Sequence, residues 1–354
     1  MNSVFKKLIF AISALVILWG CAAKPLPELR WPDPPDIARI KYVKAIYGSA
    51  NVRESSTLTD IVLGSEGGTR IKKPMGVFVD ANGKMYVTDT ASSDIFIFDP
   101  VNHTSTSLAE MGVSGITKPI GVANDSQGRI FFSDSLSNRV RVVGKDGHLI
   151  ADLQADEPFK VPTGVAVDNL YKKIYVTDTR HHNVKVFDLD TLKYLRTIGK
   201  RGKEDGEFNF PTELTVDAKG YVYVSDTQNG RYQVFDNDGR FIRRVGEFGD
   251  APGMFGRPKG IAVDSEGHVY VADAAFNVIE IFDDEGRYLM AFSGYGVYRG
   301  QTILPAGLAI DKNDFIYLSD SWNNRVEIFE YLGDKFKARE NAGTESYPPV
   351  TVRK

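Results

Sequence analysis

Apolar and polar residues alternate along short stretches of this chain, and the stretches recur in groups of three. The clearest group runs from Gly164 to Asp188, where "GVAVD", "IYVTD" and "VKVFD" each alternate with a period of two. Such alternation between turn residues predicts β-strands. Turns rich in Asp, Asn and Gly, such as "DANGK" at 80–84, separate the strands and indicate tight hairpins. The pattern therefore predicts antiparallel sheets.

The three-strand motif occurs six times. Each copy opens on a proline, with spacings of 45, 43, 49, 47 and 47 residues, at Pro74, Pro119, Pro162, Pro211, Pro258 and Pro305. Each second strand closes on an aspartate, namely Asp89, Asp134, Asp178, Asp226, Asp273 and Asp320. A fourth strand, such as "KYLRTIG" at 193–199, follows in most copies. Four antiparallel strands per repeat of about 40–50 residues predict an all-β fold, a six-bladed β-propeller of four-stranded antiparallel blades.

The start of the chain is predicted to close the ring of blades. The sixth copy ends near Tyr331 without a clear fourth strand, whereas "KYVKAIYG" at 41–48 is similar to the fourth strand at 193–199. We expect this N-terminal strand to complete the last blade, because a closed ring leaves few free sheet edges. The alternative is "KFKAR" at 335–339, which is shorter and more charged.

The repeats resemble those of the NHL family of β-propellers. The matching stretches include "PTGVAVD", "PKGIAVDSEGHVYVAD" and "PAGLAIDKNDFIYLSDSWNNRVEIF", and the resemblance covers residues 40–331. The resemblance implies the fold. It leaves the function open, because this fold carries enzymes, RNA binders and protein-docking scaffolds alike.

The N-terminal residues have the pattern of an export signal. Lys6 and Lys7 precede an apolar run of 13 residues at 8–20, which is too short to span a bilayer comfortably. Residues 1–20 are therefore predicted to be a lipoprotein signal peptide. Cys21 follows in "LWGC", which resembles a bacterial lipobox and implies that Cys21 is diacylated. Ordinary secretion and a retained signal anchor are the alternatives.

The remaining chain is predicted to have three parts. Residues 21–39, which begin with the lipidated Cys21, are proline-rich and are expected to form a stiff tether. Residues 40–339 form the propeller, and residues 340–354 form a flexible tail. Ala22, rather than an aspartate, follows the cysteine. By resemblance to bacterial lipoproteins, this implies an envelope protein anchored in the outer membrane and facing the periplasm.

Net charge and cysteine content exclude some functions. Without residues 1–20 the chain has 41 basic and 46 acidic residues, a net charge of −5. This balance argues against a nucleic-acid partner, because such binding needs a basic footprint. Cys21 is the only cysteine in the chain, so disulfides, thiolate zinc sites and cysteine nucleophiles are excluded.

The histidines are expected to be structural. In a propeller, the loops between second and third strands and those between blades lie on one face, which we call the upper face; the other turns lie on the lower face. Of the five histidines, only His181 and His182 are expected on the upper face. A catalytic zinc takes three ligands from several elements, and propellers similar to the peptide-amidating lyase draw histidines from different blades. We therefore predict a polar loop and no zinc site here.

Glu213 interrupts the repeat at the start of an innermost strand. Five copies have glycine two residues after the opening proline, whereas the fourth copy has Glu213. An acid near the channel resembles the calcium-binding lactonase propellers, in which carboxylates and an asparagine converge on a central ion. Calcium takes six to eight oxygens, and Glu213 is the one weak candidate ligand. Pairing of Glu213 with a neighbouring Arg or Lys is the favoured alternative.

Arginine and tryptophan side chains are also predicted on the upper face. They are Arg139, Arg180, Arg231, Trp322 and Arg325. Arg and Trp are frequent interface anchors, so these residues, with His181, His182 and Glu213, are candidate contacts for an envelope protein, a peptide or a glycan. A solvated surface is the alternative, because "SNRV" and "NNRV" are ordinary parts of the repeat. The insert at 49–73 is expected on the same face.

Together these patterns favour a lipid-anchored binding or scaffold module of the cell envelope, without catalytic residues and without a cofactor. The alternative is a metal-dependent hydrolase or lyase, similar to the lactonases or the amidating lyase, with a site at the channel mouth. Calcium is the ion that this alternative would use.

Overall fold

The computed structural model describes residues 27–52 and 68–343. In this part of the chain the strands form six antiparallel sheets around a central channel, so the predicted six-bladed propeller is confirmed. The predicted signal peptide, Cys21, most of the 49–73 insert and the end of the predicted tail lie outside the described residues. No helix within the described ranges is long and apolar enough to cross a membrane.

The strands occur in blade order along the chain. Near the start are β1 (Arg30–Trp31) and β2 (Ile40–Ile46). Blade 1 contains β3 (Pro74–Val79), β4 (Met85–Asp89), β5 (Asp94–Asp99) and β6 (Thr104–Ser107). Blade 2 contains β7 (Pro119–Asn124), β8 (Ile130–Asp134), β9 (Arg139–Val143) and β10 (Leu149–Asp152). Blade 3 contains β11 (Pro162–Asp168), β12 (Lys173–Asp178), β13 (Asn183–Asp188) and β14 (Tyr194–Ile198).

The second half of the ring repeats this arrangement. Blade 4 contains β15 (Leu214–Val216), β16 (Val222–Asp226), β17 (Arg231–Phe235) and β18 (Phe241–Val245). Blade 5 contains β19 (Pro258–Val263), β20 (Val269–Asp273), β21 (Val278–Phe282) and β22 (Tyr288–Phe292). Blade 6 contains β23 (Pro305–Ile310), β24 (Phe315–Asp320) and β25 (Arg325–Tyr331), after which comes the helix α1 (Asp334–Asn341).

Ring closure follows the sequence prediction. The strand β2 pairs antiparallel with β25, with Ile40 opposite Tyr331 and Ile46 opposite Val326, and so completes blade 6. The rival segment 335–339 lies within α1. The structure adds β1, which pairs with β2 and brings Trp31 against Phe329. This end of the predicted tether therefore packs on the propeller. The contact could not be predicted, because a strand of two residues is too short to show a periodic pattern.

Hydrophobic side chains pack between neighbouring blades, with one core cluster at each of the six interfaces. The middle strands have neighbours on both faces, and β4 ("MYVTD") is accordingly buried at every position. The outermost strand β18 faces solvent on one side and alternates between exposed and half-buried residues. Burial of both faces explains why the middle strands read as nearly continuous apolar runs.

Candidate functional site

The six aspartates that close the second strands hold the upper face together. Asp89 accepts hydrogen bonds from the backbone N–H groups of Ala91 and Ser92 in its own turn, and from Lys73 before the opening proline. Asp273 makes the same kind of bonds in blade 5, and all six carboxylates are fully buried. The predicted local role in the turn is confirmed for Asp89, Asp134 and Asp273, whereas the other three aspartates contact a side chain of the turn, that of His181, Asn229 or Asn323. Each aspartate in addition fixes the backbone of the residues that precede the opening proline.

Three loops between blades share one backbone arrangement on the upper face. These anchored loops are residues 199–210, 246–257 and 293–304, which lie 47 residues apart. Each contains one parallel bridge, Arg201↔Phe208, Phe248↔Phe255 or Tyr295↔Thr302. In each, a glycine N–H donates to a side chain on the third strand of the next blade: Gly206 to Gln233 (2.9 Å), Gly253 to Glu280 (3.0 Å) and Gly300 to Glu327 (3.1 Å). The loops are therefore tied to the rigid ring.

Arg231 and Arg325 are predicted rim contacts, but the structure buries both guanidinium groups beneath the anchored loops. Arg325 Nε lies 2.8 Å from Asp320, and its Nη2 donates to the carbonyl of Tyr298 at 2.9 Å. Arg231 pairs with Asp226 at 2.8 Å and donates to the carbonyl of Glu204. Both arginines hold a loop in place from below, which is why they are not exposed on the rim.

The anchored loops and neighbouring turns display large apolar side chains to solvent. The side chain of Tyr295 is 72% exposed, that of Tyr298 is 77% exposed, and that of Trp322 is 67% exposed. The aromatic residues among them, which we call the aromatic arc, lie on the upper face of blades 4 to 6 and are Phe210, Phe248, Phe276, Tyr295, Tyr298 and Trp322. Of these only Trp322 is a predicted site residue. The other five could have been found only as aromatic residues that lie in loops between two predicted strands.

His181 and His182 have different partners. His181 Nδ1 lies 2.7 Å from the buried carboxylate of Asp178. His182 is buried, adopts a left-handed backbone conformation with φ of 57°, and accepts a hydrogen bond from the backbone N–H of Phe210 at 3.1 Å. Burial lowers the pKa of His182, which favours the neutral ring that accepts this bond. The two rings therefore serve the packing of the blade 3 turn.

The other two predicted arginines lie at the surface. The side chain of Arg139 is 59% exposed and lies 3.8 Å from Asp152. Arg180 is exposed and has no ion pair with any described residue. Both remain predicted contacts.

Glu213 replaces a glycine that the other blades need. A Cβ on Gly76 would lie 2.2 Å from a backbone carbonyl oxygen of the next blade, and a Cβ on Gly121 would lie 2.4 Å from the equivalent oxygen. Such distances are far inside van der Waals contact, so glycine permits the close approach of two innermost strands. Glu213 has a Cβ at this position. The innermost strand β15 has only three residues, whereas the other innermost strands have six or seven.

The carboxyl of Glu213 lies at the upper end of the channel. The channel has a volume of about 180 Å³ and mostly aliphatic walls, and Glu213 is the only ionisable residue among the described residues that line it. Water partly reaches this side chain, although protein atoms surround it. Burial raises the pKa of Glu213 to about 8, against the opposing effect of Lys259. Lys259, on the next blade, has a pKa that burial and Arg257 lower.

The calcium arrangement implied by the lactonase resemblance does not fit these donors. Calcium takes six to eight oxygens, whereas the lining of the channel supplies one carboxylate, with cationic side chains nearby. Within the described residues, the one group of three acidic side chains close enough to share an ion is Asp283, Asp284 and Glu285, in a hairpin turn on the lower face. No catalytic step through calcium follows from this geometry.

Two solved structures have a similar fold. An auxiliary nutrient binding protein from Bacteroides thetaiotaomicron matches with a TM-score of 0.60 and 13% identity, over 74% of this chain and 69% of that chain. A virginiamycin B lyase from Staphylococcus aureus matches with a TM-score of 0.54 and 16% identity, over 73% of this chain and 95% of that chain. At these identities the likeness concerns the fold alone.

Curated relatives match over shorter regions. The NHL repeat-containing protein 3 of Mus musculus is 34% identical over 99 residues, which are 27% of this chain and 26% of the relative. A probable peptidyl-α-hydroxyglycine α-amidating lyase of Caenorhabditis elegans is 32% identical over 85 residues, which are 23% of this chain and 24% of the relative. The matched regions thus span about a quarter of each relative.

Three family models match the chain. The SMP-30/gluconolactonase/LRE-like region matches residues 69–247, about half of the chain. A six-bladed β-propeller model matches residues 217–290, and the NHL repeat matches residues 302–329. The chain therefore belongs to the SMP-30/gluconolactonase/LRE-like family and is a six-bladed propeller of NHL repeats.

Proposed function

We propose that this protein is a binding module that takes a protein partner on its upper face. The observation that supports this proposal is the aromatic arc on the upper face of blades 4 to 6, at the anchored loops and the turns beside them. Tyr and Trp dominate the binding energy of many interfaces. Large apolar side chains left in water cost free energy that a partner would recover by covering them.

The scaffold below the arc favours binding of this kind. The loops 246–257 and 293–304 are held by Glu280 and by Arg325 with Glu327. Because their backbone is already ordered, little conformational entropy is lost when a partner binds. The equivalent loop positions carry different residues, Arg201, Phe248 and Tyr295. The same loop conformation thus presents a different side chain in each of the three loops. This is expected where a rigid ring positions loops that determine specificity.

Replacing three side chains of the aromatic arc is expected to reduce capture of the partner strongly. We expect the triple variant Tyr295→Ser, Tyr298→Ser, Trp322→Ser to lower recovery of the partner by about 30-fold or more, since one hot-spot residue contributes about 2 kcal/mol. The measurement is in-cell cross-linking followed by quantitative mass spectrometry of the captured proteins. The matched control is Leu170→Ser with Tyr171→Ser, two exposed apolar residues on the lower face. Equal recovery with both variants would contradict the proposal.

We also propose that the module is lipid-anchored in the cell envelope, with a signal peptide at 1–20 and a tether that begins at Cys21. We expect Cys21→Ala to move the protein from the membrane fraction to the soluble fraction and to abolish labelling with a radioactive fatty acid, because two acyl chains give stable anchoring. Unchanged labelling of the variant would show that the lipid is attached elsewhere or not at all.

A further inference from the structure

We infer that the upper mouth of the channel is an anion site, and that it receives an acidic segment of the protein partner. This inference rests on the proposed function, because it takes the upper face as the face that binds. The site consists of six cationic side chains, which we call the cationic mouth: Lys72, Lys73, Lys118, Lys160, Arg257 and Lys259.

The repeat itself brings these residues to the mouth. Five of them occupy the two positions before an opening proline, and Lys259 is the residue after one. At the same positions blades 4 and 6 have no charge and present Phe210 and Leu304. No acidic residue occurs at any of these positions in the six repeats. Cations therefore line blades 1, 2, 3 and 5, beside the aromatic arc.

The backbone of the cationic residues is held in place, and their side chains form no ion pair with the described residues. The backbone N–H groups of Lys73, Lys118, Lys160 and Arg257 donate to the buried aspartates of their own blades. Five of the six side chains are exposed and that of Lys259 is half-buried, and none of the six has an ion pair with a described residue. The charge of the five exposed side chains therefore faces solvent above the channel.

The charges lie close enough to act on each other across the mouth. Lys118 is on blade 2 and Lys259 is on blade 5, the opposite blade of the ring. Burial, then Arg257, and further Lys118 lower the pKa of Lys259, while Glu213 opposes them. Like charges around one mouth repel each other, and an anion between them reduces the repulsion. The chain as a whole has a net charge of −3, so this positive region stands out locally.

The neighbouring aromatic arc favours an acidic polypeptide as the source of the anion. Aromatic anchors beside a charged region are typical of protein interfaces. A partner segment that places a carboxylate at the mouth and apolar side chains on the aromatic arc would contact both regions at once. The channel below, with mostly aliphatic walls and a volume of about 180 Å³, has no cationic lining residue in the described part of the chain, so the acidic segment would be held at the mouth.

Peptide binding tests this assignment. A fluorescent peptide of ten glutamates is titrated with the full-length protein and followed by anisotropy, with a ten-glutamine peptide as control. We expect only the glutamate peptide to bind, with affinity falling about tenfold or more between about 20 and 200 mM NaCl. We expect Lys118→Gln, Arg257→Gln and Lys259→Gln each to weaken binding about fivefold. The matched controls Lys145→Gln and Lys219→Gln, which are exposed on the lower face, should leave the affinity unchanged.

Several results would overturn the assignment. They are absence of binding, equal binding of the glutamine peptide, or equal losses with the mouth and lower-face variants. Displacement of the peptide by inorganic phosphate at equal concentration would show a general anion site and would overturn the choice of an acidic polypeptide. If the arc variants lose the partner while the glutamate peptide does not bind, the anion site fails and the proposed function stands. If the peptide binds at the mouth while the arc variants retain the partner, the anion site stands and the proposed function fails.

Discussion

Replacing Arg325 by alanine is expected to lower the free energy of unfolding by about 3–5 kcal/mol, because the change leaves a buried carboxylate without its cation. Arg325 is 2% exposed and lies 2.8 Å from Asp320 and 3.2 Å from Glu327, both fully buried. Its guanidinium also donates to the carbonyls of Tyr298 and Gln301. Burial raises the pKa of Glu327 to about 8, so the loss combines one unpaired buried carboxylate, that of Asp320, with several unsatisfied carbonyl groups. Denaturant unfolding followed by tryptophan fluorescence measures the effect.

The chain supplies a matched control for this change. Arg139 occupies the same position in "SNRV" as Arg325 in "NNRV", but its side chain is 59% exposed and lies 3.8 Å from Asp152. We expect Arg139→Ala to change the free energy of unfolding by less than about 1 kcal/mol, since exposed ion pairs contribute little. Equal effects of the two variants would show that burial of Arg325 does not determine its contribution. Because Arg325 holds the loop 293–304, its loss is also expected to reduce partner capture through Tyr295 and Tyr298.

Replacing Glu213 by glutamine is expected to stabilise the protein at alkaline pH. Burial raises the pKa of Glu213 from 4.5 to about 8 in the folded protein. Between these two values the folded protein keeps a proton that the unfolded chain has lost, so this carboxyl lowers the stability as the pH rises. The loss is complete above about pH 8 and absent below about pH 4.5. Glutamine has the shape of the protonated acid and does not ionise, so the variant does not lose stability in this pH range.

The difference between variant and wild type therefore has a defined pH dependence. We expect the two proteins to differ little near pH 4.5, and the variant to be more stable by about 2–4 kcal/mol at pH 8.5, where the partial access of water to the channel reduces the full effect. Denaturant unfolding at several pH values measures this. Glu247→Gln is the control, because Glu247 is exposed and has no ion pair with a described residue. A difference for Glu213→Gln that does not change with pH would contradict the assigned cause.

Much of the fold could be predicted from local patterns. The period-two alternation and the Asp-rich turns identified the strands, and the six prolines identified the blades. The pairing of Ile40–Ile46 with Arg325–Tyr331 followed from the similarity of 41–48 to a fourth strand. The local role of the closing aspartates was also predictable, since a carboxylate at a strand end accepts N–H bonds from the turn that follows. All of these features depend on residues close together in the sequence.

The candidate site was less predictable, because it depends on loops from neighbouring blades. Trp322 was expected on the upper face and is exposed there, whereas Tyr295 and Tyr298 had no periodic pattern to mark them. The cationic mouth was missed as well. Its residues come from four repeats that lie more than 40 residues apart, and only the closed ring brings Lys118 opposite Lys259.

The sequence by itself determined the number of blades, the closing strand and the face on which each loop lies, because repeats and turns are local. Only the tertiary structure decided which charged side chains reach solvent. Arg139 and Arg325 follow the same dipeptide pattern, yet the first is exposed and the second is buried. The loop 293–304 folds over Arg325 and supplies carbonyl acceptors, whereas the loop before blade 2 is held by Arg141, whose Nη1 donates to the carbonyl of Ser114. The neighbouring loop, and not the motif, determines where the charge lies.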